Sequence, residues 1–312
     1  MTKCTEAVSV KALKKTYKNG SIRALNNIDL TIEQGEIFGL IGPNGAGKTT
    51  LIGCLLSLIR PDSGEVKVLG KPADYLSVLR RVGYMPERVM FEHWMTARQF
   101  LDFHHGLAKV EVPDKAKKIE SLLDLVQLSK AARDRKLKTF SRGMLQRLNL
   151  AQSLVGDPRL VMLDEPTLGL DPTGVDVVRE VIIELQKDGV TAVINSHHLD
   201  EIERLCSRVA MISAGRIKSI EQMNQGENGS YILFTSWSTE NLNGSLLPSI
   251  ERACGKSSCE PLEVEQQWGR FLIANRGDAA ILISALIEEG IPVDEARNEK
   301  KSLAGLFYEG GE

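Results

Sequence analysis

Residues 42–49 have the types and the spacing of a loop that binds a polyphosphate. They read Gly-Pro-Asn-Gly-Ala-Gly-Lys-Thr and match the pattern G-x-x-x-x-G-K-[ST]. Glycines let the backbone turn its N–H groups inward on phosphate oxygens, and the positive end of a following helix favours the same anion. Lys48 can contact the β and γ phosphates, and the hydroxyl of Thr49 can ligate Mg²⁺. The residues predicted to bind the nucleotide are Asn44, Gly45, Ala46, Gly47, Lys48, Thr49 and Thr50.

A pair of acids, Asp164 and Glu165, is the second candidate for chemistry. They follow the apolar run Leu160–Leu163, and an acid at the carboxyl end of a buried parallel strand lies where such sheets bind ligands. Asp164 is expected to hold Mg²⁺, and Glu165 is expected to accept a proton from an attacking water. The alternative is that one of the acids caps the next helix.

These residues need an α/β framework to hold them in place. Residues 8–41 are rich in strand patterns, and Glu36–Ile41 is predicted to be a buried strand that leads into the loop. Helical spacing predicts a helix over Lys48–Ile59. Further strands are predicted in this first part at Ile22–Ile32 and Glu65–Leu69. After the middle of the chain the α/β pattern returns, with predicted strands at Leu160–Leu163 and Thr191–Asn195, a helix at Val175–Lys187, and a hairpin of Val209–Ser213 with Arg216–Ile220.

The middle and the end of the chain differ from this α/β part. Residues 88–148 are predicted to form an inserted helical subdomain, with helices at Thr96–Ala108 and Pro113–Val126. Polar residues from Gln222 to Ser230 indicate a linker, which divides a domain of residues 1–222 from one of residues 223–312. The second domain is predicted to be a small α/β unit with the ferredoxin-like order βαββαβ. Its elements are predicted at Tyr231–Trp237, Leu246–Ala253, Glu260–Gln266, Phe271–Ala274, Ala279–Glu288 and Ile291–Glu295.

Composition limits the functional classes. The chain has 312 residues, 42% of them hydrophobic and 26% charged, which is typical of about two globular domains. A formal net charge of -2 gives no reason to expect a nucleic acid partner. We find neither a signal peptide nor an apolar run of about 18 residues, and the five cysteines indicate free thiols in a reducing compartment. The basic stretches Lys11–Lys15 and Arg133–Lys138 are expected to be solvated faces.

Several ordered motifs together resemble the ATPase subunits of ABC transporters over residues 8 to about 222. Residues 141–147, Ser-Arg-Gly-Met-Leu-Gln-Arg, look like the family signature, and they stand shortly before the strand that ends in acids. Residues 169–172, Gly-Leu-Asp-Pro, are similar to the D-loop, and Ser196-His197 to the switch histidine. Tyr17 stands where the family stacks an aromatic ring on adenine, and Glu87 occupies the Gln-loop position.

The resemblance implies a head-to-tail dimer that closes on two ATP molecules. Ser141 and Gly143 would complete the γ-phosphate pocket of the opposite subunit, and Asp171 would also serve nucleotide binding. His197 would contact the γ-phosphate and help to orient the attacking water. Two residues depart from the usual family pattern: Arg142 stands in place of glycine, and Glu87 in place of glutamine. Glu87 can still bind Mg²⁺ or its water, so the predicted metal set is Thr49, Asp164 and Glu87. Ser141 could alternatively be an ordinary helix cap, and His197 a structural surface residue.

The resemblance also implies separate membrane-spanning subunits as partners. Residues Val89–Phe100 would face such a subunit; for Trp94 the alternative is a place in the helical core. The chain would then lie peripherally on the cytoplasmic face of the membrane, with a further accessory subunit as a possible addition. Within the family the chain resembles the ABC-2 exporter branch, both bacitracin-resistance-type exporters and the ATPase that serves copper-site maturation of nitrous-oxide reductase. A soluble ABC ATPase acting on a macromolecule is the alternative.

Overall fold

The protein is described from a computed structural model, which covers residues 6–18, 20–88, 91–111, 113–223, 231–237, 246–257, 259–273 and 276–299. Contacts between Cα atoms divide the chain into a unit that ends at Met223 and a unit that begins at Asn224. Most of the predicted linker, residues 224–230, lies outside the described residues, as do Val89, Met90 and Ala274. The two units are described separately.

The first unit contains an antiparallel sheet near its N-terminus. Its strands are β1 (Glu6–Tyr17), β2 (Ile22–Glu33), β4 (Ser63–Val68) and β5 (Lys71–Pro72), and their order is β2-β1-β4-β5. Much of one face is apolar and lies in the main core, for example Val10 opposite Leu30. The expected strands Ile22–Ile32 and Glu65–Leu69 are therefore confirmed within two residues at each end.

The second sheet of this unit is the one that carries the candidate site. Its strands are β3 (Ile37–Ile41), β6 (Val82–Met85), β7 (Leu160–Asp164), β8 (Thr191–Asn195), β9 (Arg208–Ser213) and β10 (Arg216–Gln222). The order is β10-β9-β3-β8-β7-β6, with parallel neighbours from β9 to β6 and the predicted β9–β10 hairpin antiparallel at one edge. Every residue of β3, β7 and β8 is buried, which explains their continuous apolar runs. Parallel strands end at the same sheet edge, so the segments that follow β3, β7 and β8 meet there.

The helix after β3 is shorter than the sequence pattern indicates. Helix α1 spans Lys48–Leu55, whereas the spacing predicts it to Ile59. Ser57 adopts the left-handed conformation with φ 58°, and the amides of Leu58 and Ile59 donate to the carbonyl oxygen of Gly53 at 2.8 and 3.0 Å. These bonds fold the chain back over the helix end. Ile59 keeps its apolar contact with the core although it has left the helix.

A short helix, α2 (Leu76–Leu79), precedes β6, and the helical region follows β6. The helical region contains α3 (Ala97–Ala108), α4 (Lys115–Leu125), α5 (Lys130–Arg133), a 3-10 turn at Leu137–Thr139 and α6 (Arg142–Ser153). The two predicted helices are confirmed: Thr96 and Gln99 form a capping box at α3, and the side chain of Asp114 caps α4. The expectation that Arg133–Lys138 is a solvated face is wrong for Arg133, which is 3% exposed. Its guanidinium is paired with Glu120 at 2.8 Å and Asp124 at 2.5 Å, because a buried charge needs partners.

Two more helices, α7 (Pro172–Lys187) and α8 (Leu199–Leu205), complete the first unit. Helix α7 begins three residues before the predicted start at Val175, because Asp171 caps it by accepting the N–H of Gly174 at 3.0 Å and Pro172 fits the first helical position. Helix α8 had no clear sequence signal, since it is only seven residues long.

The second unit has the predicted ferredoxin-like order. It contains β11 (Tyr231–Trp237), α9 (Leu246–Ser257), β12 (Glu260–Val264), β13 (Trp268–Ile273), α10 (Arg276–Glu288) and β14 (Val293–Glu299). The strands are antiparallel neighbours in the order β12-β13-β11-β14. A core of its own includes Trp237, whose indole N–H donates to the Gln266 carbonyl oxygen at 3.0 Å. The last strand lies a few residues later than the predicted Ile291–Glu295, because Val293–Glu299 pairs with β11.

Candidate functional site

The loop after β3 is shaped by glycines that no other residue could replace. Gly42 and Gly47 have φ 154° and 112°, a region that side chains rarely adopt. A Cβ atom at Gly42 would overlap the carbonyl oxygen of Ile212, and one at Gly47 would overlap that of Ala24. The loop is therefore held tightly against β9 and β2 while its last residues lead into α1. The N–H groups of the first turn of α1 make this a place where an anion is stabilised.

Lys48 begins this helix and reaches back across the loop. Its Nζ donates to the carbonyl oxygens of Gly42 at 2.7 Å and Pro43 at 3.1 Å. Burial lowers the pKa of Lys48, and the nearby carboxylates of Glu165 and Asp164 partly oppose this shift. The structure therefore sets a half-buried ammonium group within reach of two acids that are more than a hundred residues away in sequence.

A single cavity of about 220 Å³ brings most of the predicted site together. Its predicted lining residues are Asn44, Gly45, Gly47, Lys48, Thr49, Thr50, Glu87, Asp164 and Glu165. Three residues at the start of β2 and Asn195 also line it, none of which the sequence had suggested: Ile22, Arg23, Ala24 and Asn195. Ala46 lies in the loop but is buried beside the core. Tyr17 is not part of the lining, although it pairs with Ile22 in the β1–β2 register and its exposed ring lies 5.6 Å from Nζ of Lys15.

Asp164 is held by the neighbouring strand. Asp164 and Asn195 are paired in the β7–β8 register, and Nδ2 of Asn195 donates to Oδ1 of Asp164 at 2.5 Å. Burial raises the pKa of Asp164, the bond from Asn195 opposes that rise, and the charges of Glu165 and Glu87 add to it. A carboxylate that is costly to ionise beside other acids is typical of a site that a cation completes.

Glu165 accepts hydrogen bonds from the segment after β8. Its Oε2 lies 2.8 Å from Nδ1 of His197, its Oε1 accepts the backbone N–H of His197 at 3.1 Å, and the hydroxyl of Ser196 donates to Oε2 at 3.3 Å. Glu165 itself has a left-handed backbone with φ 51°, and its N–H donates to the carbonyl oxygen of Asn195 at 2.8 Å. Such backbone strain is often found at functional sites. Asp164 and Glu165 do not cap the next helix, because α7 begins at Pro172 and is capped by Asp171.

Helix α6 connects the signature segment to the loop at Glu165 and to the loop at Glu87. Gln146 donates through Nε2 to the carbonyl oxygens of Glu165 at 3.0 Å and Pro166 at 3.3 Å. Asn149, one turn later and 1% exposed, donates through Nδ2 to the carbonyl oxygen of Pro86 at 3.0 Å, next to Glu87. The sequence reasoning missed both residues. Their i, i+3 spacing on one helix face after the signature is the signal that could have found them.

The signature residues form a separate cluster. Ser141 caps α6 by accepting the N–H of Met144 at 3.2 Å, and neither it, Gly143 nor Asp171 lines the cavity around Lys48. Gly143 faces the side chain of Leu170, and the side chain of Arg142 lies over Gly169, where a Cβ atom would overlap its guanidinium group. The signature segment and the D-loop-like segment are thus packed against each other within one chain.

The segment after Glu87 divides into buried and exposed residues. Trp94 is 62% exposed, and its indole N–H donates to Oε2 of Glu92 at 3.0 Å. Met95 is buried, and Phe91 lies 5.2 Å from the ring of Phe100. The core alternative therefore does not hold for Trp94.

Among the described residues, no cluster of three or more His, Cys, Asp or Glu side chains could hold a metal ion, so the thiols of Cys254 and Cys259 do not belong to such a cluster. None of the helices in the described part of the chain combines the length and the apolar character needed to cross a bilayer.

The protein-family profile described as "ABC transporter" matches residues 25–168. An uncharacterized ABC transporter ATP-binding protein of Nostoc sp. is 39% identical over 76% of each chain. The uncharacterized ABC transporter ATP-binding protein YcbN of Bacillus subtilis is 34% identical over 97% of this chain and 96% of its own. The Nod factor export ATP-binding protein I of Rhizobium meliloti is 36% identical over 68% of this chain and 63% of its own.

Solved structures show the same fold. The dimeric post-hydrolysis state of the ATP-binding cassette MJ0796, bound to ADP and Pi, is 24% identical with a TM-score of 0.65, and the match covers 70% of this chain and all of that one. The structure of cbiO1 from Clostridium perfringens, described as part of the ABC transporter complex cbiONQ, is 28% identical with a TM-score of 0.62 over 70% of this chain and 89% of its own.

Proposed function

This chain belongs to the family of ABC transporter ATP-binding proteins, and from that premise we propose that it hydrolyses ATP to drive separate membrane-spanning subunits of an ABC-2 type exporter. The family's ATPase domain implies ATP hydrolysis. The observation that carries the proposal is the single cavity in which Lys48, Asp164 and Glu165 meet. An anion-binding loop, a buried acid and a hydrogen-bonded carboxylate are the groups that hydrolysis of a nucleoside triphosphate requires.

The residues around Lys48 suit ATP with Mg²⁺. Thr49, Asp164 and Glu87 line the same cavity and offer only oxygen atoms, which Mg²⁺ prefers. These are the residues that would hold the ion, and when bound it neutralises charge on the β and γ phosphates. Lys48 and the amides of residues 44–50 orient the phosphate chain. Tyr17, beside Ile22 at the cavity rim, is proposed to stack on the adenine ring.

Glu165 is proposed as the general base. It would accept a proton from the water that attacks the γ phosphorus, and it is already aligned by Ser196 and by the N–H and ring of His197. His197, with 58% of its side chain exposed, can contact both this carboxylate and a γ-phosphate oxygen. The pair would orient the water and stabilise the charge that develops on the phosphate.

A second copy of the chain is proposed to complete the site. Ser141, Gly143 and Asp171 do not line the cavity of their own chain, and the first turn of α6 offers N–H groups that suit a γ phosphate. In a head-to-tail dimer each chain would give this cluster to its partner's nucleotide. ATP would then favour the closed dimer, because ATP contacts both chains only when the two chains are together. Hydrolysis of ATP would let the two chains separate again.

The membrane-spanning partner is proposed to contact the segment around Trp94. As a subunit of such a transporter, the chain is proposed to lie on the cytoplasmic face of the membrane. An exposed Trp with a satisfied indole N–H is typical of interface residues. The relative named for Nod factor export supports an exporter. Bacitracin-type resistance and copper-site maturation of nitrous-oxide reductase are the two proposed roles, and the membrane protein that co-purifies with the chain decides between them. A further accessory subunit would appear in the same purification.

The test of the proposed base is Glu165→Gln. The amide keeps the shape of the side chain but cannot accept the proton, so we expect ATP binding to persist and turnover to fall about 100-fold or more. Glu184→Gln, on the exposed side of α7, is the matched control and should leave both unchanged. Turnover of Glu165→Gln within a few-fold of the parent would remove Glu165 from this role.

A further inference from the structure

Arg23 lines the candidate cavity, although the proposed function gives it no role. It stands near the start of β2 and lines the cavity together with Lys48, Glu87, Asp164 and Glu165. The residue is exposed, and no hydrogen bond or ion pair joins its side chain to another residue in the part of the chain that the structure describes. A guanidinium group with its N–H donors available therefore stands at a cavity that is proposed to hold a polyphosphate.

The start of β2 is tied to the phosphate loop through Gly215. The N–H of Gly215 donates to the carbonyl oxygen of Ala46 in the loop at 2.9 Å, and its carbonyl oxygen accepts the N–H of Asn26 in β2 at 2.7 Å. Gly215 has φ 73°, and a Cβ atom there would overlap the carbonyl oxygen of Ala24. The backbone that carries Arg23 is therefore fixed relative to the loop, as a precise binding residue requires.

Arg23 lies between the phosphate loop and the proposed position of the adenine ring. On one side the carbonyl oxygen of Ala24 lies against Gly47, where a Cβ atom would overlap it. On the other side Ile22 also lines the cavity and pairs with Tyr17 in the β1–β2 register. A strand rises about 3.3 Å per residue, so Arg23 is one such step from the residue that touches the loop and one step from the residue beside Tyr17.

The order of groups in a nucleoside triphosphate matches this arrangement. If the β and γ phosphates lie at Lys48 and the adenine ring at Tyr17, the α-phosphate and the ribose lie between these two places. A guanidinium group is planar and always charged, and its paired N–H donors match phosphate oxygens. The side chain of Arg23 thus has the chemistry that an α-phosphate requires.

We propose, resting on the proposed function, that Arg23 binds the α-phosphate of the nucleotide. The α-phosphate is neither attacked nor released when water attacks the γ phosphorus, so this contact has the same strength before and during the reaction. Such uniform binding changes KM and leaves kcat unaffected. The contact is also common to ATP, ADP and AMP, because all three carry the α-phosphate.

Arg23→Gln in the full-length chain tests this assignment. Displacement of a fluorescent ATP analogue by unlabelled ATP, ADP and AMP measures the three affinities, and release of phosphate at steady state gives KM and kcat. We expect all three nucleotides to bind about 10-fold more weakly, KM for ATP to rise by a similar factor, and kcat to stay within about two-fold of the parent. Arg23→Lys keeps the charge but loses the paired donors, so it should recover part of the affinity.

Arg60→Gln is the matched control, because Arg60 is exposed and does not line the cavity. It should leave the affinities, KM and kcat unchanged. Circular dichroism checks that each variant is folded.

Three results would overturn the role of Arg23. The first is unchanged affinity in Arg23→Gln. The second is a loss for ATP and ADP that spares AMP, because the contact would then be to the β or γ phosphate. The third is a fall in kcat at constant KM, because the residue would then act on the chemical step. Equal binding of ATP by the parent chain and by Lys48→Ala would instead count against the proposed function, and the same titrations measure it.

Discussion

Asp164 shows how a single side chain can be held at a cost to stability. It is 5% exposed and shares the cavity with Glu165 and Glu87, whose charges raise its pKa together with burial, while the hydrogen bond from Asn195 and the charge of Lys48 lower it. Under the proposed function, a bound cation and polyphosphate would compensate for this burial and for the like charges. The charge that the proposed function requires at Asp164 is therefore expected to lower the stability of the nucleotide-free chain.

Asp164→Asn should stabilise the nucleotide-free chain and abolish its ATPase activity. Because burial raises the pKa of Asp164, the native state binds a proton on this carboxyl group more tightly than the unfolded state does. The group therefore favours the native state at low pH, and this contribution to stability is lost as pH rises through the raised pKa. The gain in melting temperature should therefore be larger at pH 7.5 than at pH 4.5, on the order of 2–4 °C if about 1 kcal/mol is recovered. Thermal scans at both pH values measure it. Asp74→Asn, an exposed acid, serves as control. A variant that loses stability at pH 7.5 would contradict this account.

Asn195 is expected to act on Asp164 rather than on the nucleotide directly. Asn195→Leu removes the donor to Oδ1 and leaves the buried carboxylate with fewer partners, so the pKa of Asp164 should rise further. When the pH is lowered, we expect the variant to lose half of its ATPase activity at a higher pH than the parent. At neutral pH we expect its activity to be about 10-fold lower, because one charge-assisted hydrogen bond is lost. Asn195→Asp would add a fourth acid and should be worse. An unchanged pH profile in Asn195→Leu would show that Asn195 does not tune this carboxylate.

At the scale of elements, β6 and α6 approach so closely that only glycine fits. A Cβ atom at Gly83 in β6 would overlap the carbonyl oxygen of Ser153 at the end of α6. This contact sets α6, which carries Gln146 and Asn149, against the sheet. The apolar pattern around Gly83 did not predict the strand, because β6 has only four residues and contains a glycine.

Gly83→Ala should destabilise the first unit, while Gly106→Ala should not. The first substitution forces β6 and α6 apart and is expected to cost about 1–3 kcal/mol. The second lies in α3 with nothing within 4 Å of the added methyl group, and alanine favours a helix by about 0.5–1 kcal/mol over glycine. Denaturant unfolding of both variants gives the comparison. Equal stabilities would mean that the β6–α6 contact adjusts without strain.

At the scale of the whole molecule, the candidate site belongs to one unit. Every residue that lines its cavity lies before Met223, and the second unit has its own core. The chain thus has one unit that contains every residue lining the candidate cavity and a second α/β unit with its own core.

A chain of residues 1–223 should fold and bind ATP with nearly the affinity of the full chain. No cavity residue is lost, and the first unit keeps both of its sheets. Equilibrium binding of a fluorescent ATP analogue, with Lys48→Ala as the negative control in both lengths, measures this. A shortened chain that is folded by circular dichroism but has lost binding would show that the second unit contributes to the site.

The sequence determined the chemistry that is local in the chain. The glycine loop with Lys48 and Thr49, the strand that ends in Asp164, and the cap at Ser141 are each set by a few adjacent residues, so they could be predicted from the sequence. The ends of helices depend on longer-range choices: α1 stops at Leu55 because the amides of Leu58 and Ile59 turn back to Gly53, and α7 begins earlier than predicted because Asp171 caps it.

Only the tertiary structure decided which of these groups meet. Asn195 reaches Asp164 because β7 and β8 are neighbours in register, and Asn149 reaches the Glu87 loop because Gly83 lets α6 lie on β6. The sequence by itself therefore predicted the phosphate-binding loop and the acid that the structure places beside it. The partners that tune this acid come from strand order and close backbone approach, which depend on contacts between residues far apart in the chain.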